Sequence, residues 1–131
     1  MEGHQVELRE EPRRVEVVFN DAVVASSTRS VALLETGLPV RYYFPRDDLA
    51  MEHLDATTTE TVCPFKGSAS YFTVRVGDVE HRDLAWSYET PIPGIERIAG
   101  HVCFYGEHAD HRIDGEPMER PETPWSNPKA S

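Results

Sequence analysis

Tyr71-Phe72-Thr73-Val74-Arg75-Val76 alternates at period two, and Gly77-Asp78 separates it from a second run that starts at Val79. A strand that meets a two-residue turn folds back on itself, so this segment predicts an antiparallel hairpin whose register the turn sets. With Gly77 and Asp78 as the loop, Val76 faces Val79 and Arg75 faces Glu80, a favourable cross-strand charge pair. At constant register Tyr71 then meets Leu84, Ala69 meets Trp86 and Gly67 meets Tyr88, all on one face. On the other face Phe72 falls opposite Asp83, a mismatch that a bulge would relieve.

The rest of the chain reads the same way. Val15 to Phe19, the turn pair Asn20-Asp21 and Ala22 to Ala25 form another hairpin. Ser30 to Glu35 fits a strand better than a short helix stopped by Gly37. Val40-Arg41-Tyr42-Tyr43-Phe44 is extended and ends at Pro45, and a last strand covers Ile98 to Tyr105. One short helix is expected over Asp48 to Leu54, capped by Asp47. The fold class is therefore mainly β: a small, single-domain antiparallel fold with at most one or two short helices. At 131 residues such a domain buries roughly two-thirds of its unfolded surface, enough for a core without disulfides or a structural metal.

Residues 1–13 are mostly charged and contain Pro12, which suggests a flexible N-terminal arm before a domain spanning 14–116. Residues 117–131 hold Pro117, Pro121, Pro124 and Pro128, which remove amide donors and predict a tail without helix or central strand. Trp125, in that tail, is free to tuck against the domain, meet a partner subunit or stay exposed, so a homo-oligomer remains open. The net charge of −10 has no basic stripe to offset it, which argues against nucleic acid and anionic membranes as partners. Neither a signal peptide nor a membrane-length apolar run is visible, and two cysteines read as reduced thiols, so the cytoplasm is the expected location.

Chemistry concentrates in Cys63-Pro64-Phe65-Lys66-Gly67 and the aromatic strand Ala85-Trp86-Ser87-Tyr88. Lys66 supplies a point charge, and Gly67 lets backbone approach closely. With Arg29 and Arg41, Lys66 suits a carboxylate or phosphate. Trp86 and Tyr88, with Tyr43 and Tyr71, suit a cleft that stacks a planar group or cages a cation. Cys63 is a candidate nucleophile or redox thiol if Lys66 lowers its pKa, although no spacing sets a histidine beside it and buried cysteines are often inert. His101, Cys103, His108 and His111 carry metal-binding atoms but lack a Cys-x-x-Cys knuckle, so neither metal nor cofactor is expected. Gly67-Ser68 followed by Asp78 and Glu80 echoes a nucleotidyltransferase signature, yet both ends fall in one hairpin with Asp78 at its tip.

In order along residues 14–115, several further segments accompany these. They are Asn20 to Ala25, Glu35, Tyr42-Tyr43-Phe44-Pro45, Thr61-Val62-Cys63-Pro64-Phe65-Lys66-Gly67, Ser70-Tyr71, Ala85 to Tyr88, Pro91 and Phe104-Tyr105. Together they resemble domain-of-unknown-function family 427, sometimes labelled a putative nucleotidyltransferase family. The resemblance implies a β-tent-like fold, a group that includes methionine sulfoxide reductase B and the drug-binding domain of cereblon. Zinc-bearing members of that group use paired Cys-x-x-Cys ligands, so a zinc-free version is implied here. The resemblance implies no activity.

The leading expectation is a module that binds a small molecule, with Tyr43, Trp86 and Tyr88 as walls and Arg29, Glu35 and Lys66 as polar contacts. An enzyme using Cys63 assisted by Lys66 is the alternative. A third reading makes the acidic surface and Pro-rich tail a protein-interaction module.

Overall fold

The computed structural model describes residues 3–126. In chain order the strands are β1 (Val6–Glu11), β2 (Val15–Phe19), β3 (Ala22–Ser27), β4 (Ser30–Glu35), β5 (Arg41–Phe44), β6 (Leu54–Cys63), β7 (Gly67–Val76), β8 (Val79–Ser87), β9 (Val102–Phe104), β10 (Asp110–Ile113) and β11 (Glu116–Pro117). Seven form a large sheet in the order β1-β4-β5-β9-β8-β7-β6, and four form a small one in the order β11-β10-β2-β3. Every neighbouring pair is antiparallel. The fold is mainly β, and its helical content among the described residues is short 3₁₀ turns.

The two hairpins form for the reasons their turns suggest. Asn20 and Asp21 have φ of 47° and 64°, so both central residues of the β2–β3 turn are left-handed, matching the right-handed twist of the strands. In the β7–β8 turn only Gly77 does so, at φ 60°. Val76↔Val79, Arg75↔Glu80 and Val74↔His81 pair at the expected register. Beyond them the register slips by two residues, so Tyr71 meets Trp86 and Phe72 meets Ala85. The expected pairs Tyr71–Leu84, Ala69–Trp86 and Gly67–Tyr88 are thereby corrected. Asp83 sits in the irregularity at φ 56°, and its carboxylate accepts hydrogen bonds from Thr57 Oγ1 at 2.8 Å and Thr59 Oγ1 at 2.6 Å. A shift of two preserves side-chain parity, so Tyr71 and Trp86 still share a face.

Three other expectations also change. The arm over 1–13 is replaced at Val6–Glu11 by an edge strand paired to β4 from Val6↔Glu35 to Glu11↔Ser30. Val6 and Leu8 pack inward at period two while their charged neighbours face water, a pattern hidden by the charge density. The helix over 48–54 is replaced by 3₁₀ turns at Arg46–Asp48 and Met51–His53. Between them the Ala50 amide donates to the Val24 carbonyl at 2.9 Å, so the backbone pairs with β3 rather than with a segment too short to hold a helix alone. The strand over Ile98 to Tyr105 contracts to β9, preceded by a 3₁₀ turn at Glu96–Ile98.

The central strands β4, β5 and β9 of the large sheet are buried on both faces, which explains their continuous apolar runs. Its inner face, with Tyr42, Phe44, Phe72, Val102 and Phe104, packs on Val15, Val17 and Val24 of the small sheet. Phe44 and Phe104 meet edge to face with centroids 6.0 Å apart, a geometry that adds about 1 kcal/mol to their burial. Its outer face carries Val31, Leu33, Tyr43, Trp86 and Cys103 beneath Tyr88, Ile95 and Ile98 of the following loop. Among the described residues no helix is long and apolar enough to cross a membrane.

Candidate functional site

The outer face opens into a cleft of about 310 Å³. Tyr43 of β5, Tyr71 of β7 and Trp86 of β8 form its floor, with Tyr88, Tyr105 and Trp125 around them. Trp86 Nε1 donates to the Tyr43 hydroxyl at 3.2 Å, and the two rings stand edge to face with centroids 6.5 Å apart. Burial pushes the Tyr43 and Tyr88 phenols well up, so both stay protonated and can donate to a ligand.

Lys66 enters from the turn between β6 and β7. Its amide closes that turn on the Cys63 carbonyl at 3.1 Å, and its own carbonyl accepts from Ile92 N–H at 3.0 Å. Gly67 makes the junction possible, because it sits at φ 120° and a Cβ there would come 3.3 Å from the Thr90 carbonyl oxygen. The Lys66 ammonium donates to Glu35 Oε1 at the end of β4, whose other oxygen lies 3.0 Å from His4 Nε2. The His4 ring stacks on Phe65 with centroids 4.0 Å apart. Lys66 and Glu35 thus line one end of the cleft, and His4 joins them through the Glu35 carboxylate.

Arg41 lines the other end. Its guanidinium lies 5.5 Å from the ring centroids of both Trp86 and Tyr105. It donates two hydrogen bonds to Glu107, at 2.7 and 2.9 Å. Burial would raise the Glu107 carboxyl, but the Arg41 and Thr123 hydrogen bonds outweigh it and bring the pKa down to about 2. Thr123 Oγ1 donates to Glu107 at 2.6 Å, and His108 Nε2 to the Trp125 carbonyl at 2.6 Å, so Trp125 tucks against the domain.

Of the residues singled out from sequence, Glu35, Tyr43, Lys66, Trp86 and Tyr88 line this one cleft. Arg29 does not. It sits on the β3–β4 connection and pairs at 3.2 Å with Asp48, whose carboxylate also accepts from Ser27 Oγ at 2.6 Å. Arg41 is the arginine at the cleft, and Tyr105 and Trp125 complete walls that no local spacing connects to Lys66. Cys63 is half-buried at the rim as a free thiol, and burial pushes the fully enclosed Cys103 up to about 12.

The remaining motifs do not assemble. Among the described residues no group of three or more His, Cys, Asp and Glu is placed to hold a metal ion. Cys103 is buried under the cleft, His111 lies on β10, His101 bonds the Ala99 carbonyl, and the His108 ring meets that of His81 at a tilt of 46°. Gly67 and Asp78 lie at opposite ends of β7, about 30 Å apart at strand rise, and Glu80 is beside Arg75.

No curated protein matches the chain. A family model matches residues 7–115, which take in the whole cleft wall except Trp125, and the chain therefore belongs to the family described as Domain of unknown function (DUF427).

Proposed function

We propose that this protein binds a small molecule in the aromatic cleft, one with a planar apolar body and a carboxylate or similar acceptor head. The observation that carries the reading is the convergence of Lys66 and the rings of Tyr43, Trp86 and Tyr88 on one cleft of about 310 Å³. That volume lies at the lower end of the range that holds small ligands. Glu35 occupies one of the three Lys66 N–H donors and fixes the ammonium in place, leaving donors for a ligand. The rings supply stacking area at low entropic cost. Two free thiols, Cys63 and Cys103, support a reducing, cytoplasmic setting. The enzyme reading rests on Cys63 lining the same cleft, but no described side chain hydrogen-bonds its sulfur to activate it.

Titration with benzoate and larger aromatic carboxylates, followed by tryptophan fluorescence and calorimetry, tests the proposal. Saturable binding is expected, weakened about ten- to a hundredfold in Lys66→Met by loss of a charge-assisted hydrogen bond and restored in part by Lys66→Arg. If the folded Lys66→Met variant binds as tightly as the original chain, or no aromatic carboxylate binds, the reading fails.

A further inference from the structure

A second cavity, of about 170 Å³, lies on the inner side of the large sheet and shares Arg41 with the aromatic cleft. Val40, Tyr42 and Phe104 form one wall, and His111 of β10 with Met118 and Pro121 forms the other. The lining is mostly apolar, and Arg41, Glu119 and His111 are its ionisable residues besides Tyr42. His111 is only 8 % exposed. Its Nδ1 lies 3.3 Å from the Ala109 carbonyl oxygen, which can only accept, so Nδ1 carries the ring proton. Burial holds the ring neutral, its pKa lowered to about 4. Nε2 is then a bare acceptor, and no described residue donates to it. That acceptor belongs to a ring that lines the cavity, so a donor brought into the space has an acceptor to meet.

We infer that this cavity is a second binding site, for a small apolar molecule with one hydroxyl or N–H donor directed at His111 Nε2. Size sets the class. An apolar cavity of about 150 Å³ accommodates benzene, so phenol is of the right dimensions and supplies the donor. A neutral imidazole, unlike an imidazolium, accepts that hydrogen bond without demanding a counter-charge.

Gly106 gives a clean way to close the site. A Cβ there would lie 3.7 Å from His111 Cε1 and Nδ1 and 3.5 Å from Pro121 Cδ, ordinary contacts that the fold tolerates. The added methyl would take space beside the imidazole.

Amide and side-chain NMR of the full chain, titrated with phenol and with anisole as the donor-free control, decides the matter. Saturable phenol shifts are expected at Gly106, His111 and Met118, with anisole weaker by about five- to tenfold. Gly106→Ala should keep its melting temperature and lose about tenfold in phenol affinity. The inference is overturned if phenol gives no saturable shifts, if shifts centre on Trp86 and Tyr88, or if anisole binds as well as phenol. Unchanged phenol affinity in Gly106→Ala overturns it too. If that variant does not fold, the phenol-to-anisole ratio in the unaltered chain decides alone.

Discussion

Tyr42 and Tyr43 are neighbours in β5, yet pleating sends them to opposite faces of the large sheet. Tyr42 joins Phe44, Phe104 and the valines of the small sheet, a face dominated by hydrocarbon. Tyr43 joins Trp86, Tyr88 and Cys103 on a face that also admits Lys66, Glu35 and Arg41. The inner face is closed by another sheet, which supplies methyl groups and backbone already paired in its own ladder. A loop and the C-terminal segment close the outer face, and they bring partial gaps and polar groups. The contrast teaches that one set of strands carries most of the stability on the sheet-covered face and the larger cleft on the loop-covered face, because the two covers differ.

The comparison breaks most readily on the inner side. Phe104→Ala leaves a cavity between the sheets and should cost about 3–5 kcal/mol in urea denaturation. A cost below about 1 kcal/mol would mean that the inner face is not the main source of stability.

Acid separates the faces next. His111, on the inner side, has its pKa lowered from 6.5 to about 4 by burial, so the unfolded chain takes up a proton that the folded chain resists. Its contribution is intact above pH 6.5 and falls by about 3 kcal/mol as the pH drops toward 4. Glu107, on the outer side, is lowered from 4.5 to about 2, so its contribution is full above pH 4.5 and lost below it, again by about 3 kcal/mol. Chemical denaturation from pH 7 to 2 should show the two losses in that order, and Glu107→Gln should remove only the second. A single loss confined below pH 4.5 would contradict the inner-face assignment of His111.

Lys66→Met strands the Glu35 carboxylate with His4 alone and should cost about 1–3 kcal/mol, less than the inner-face truncation. Arg29→Ala removes a half-exposed pair with Asp48 and should cost less than about 1 kcal/mol, leaving benzoate affinity unchanged. A loss of affinity there would return Arg29 to the site.

Much of the framework was legible in local sequence. Asn20-Asp21 and Gly77-Asp78 specify turns whose twist suits hairpins, and pairing follows outward from each. The bulge at Asp83 was visible only as a mismatch with Phe72; its size depends on hydroxyls from Thr57 and Thr59, in a strand that no turn signal singled out. β1 was masked because charges outnumber Val6 and Leu8, and the expected helix lost to backbone bonds with β3. Arg29 and Arg41 are indistinguishable as residue types. Which one reaches the cleft depends on where β5 lies in the sheet.

The sequence by itself determined an antiparallel β chain, two hairpins and a Cys63-to-Gly67 turn that presents an amine. Each follows from φ preferences and period-two alternation, which act over a few residues. Tertiary structure alone decided that β4, β5, β9 and β8 lie side by side, bringing Glu35 to that amine and Arg41, Tyr43 and Trp86 into the same cleft. It also decided that Trp125 and Thr123 return from the end of the chain to close the cleft. Such contacts between distant residues are selected by mutual burial and charge pairing in three dimensions, and no local spacing encodes them.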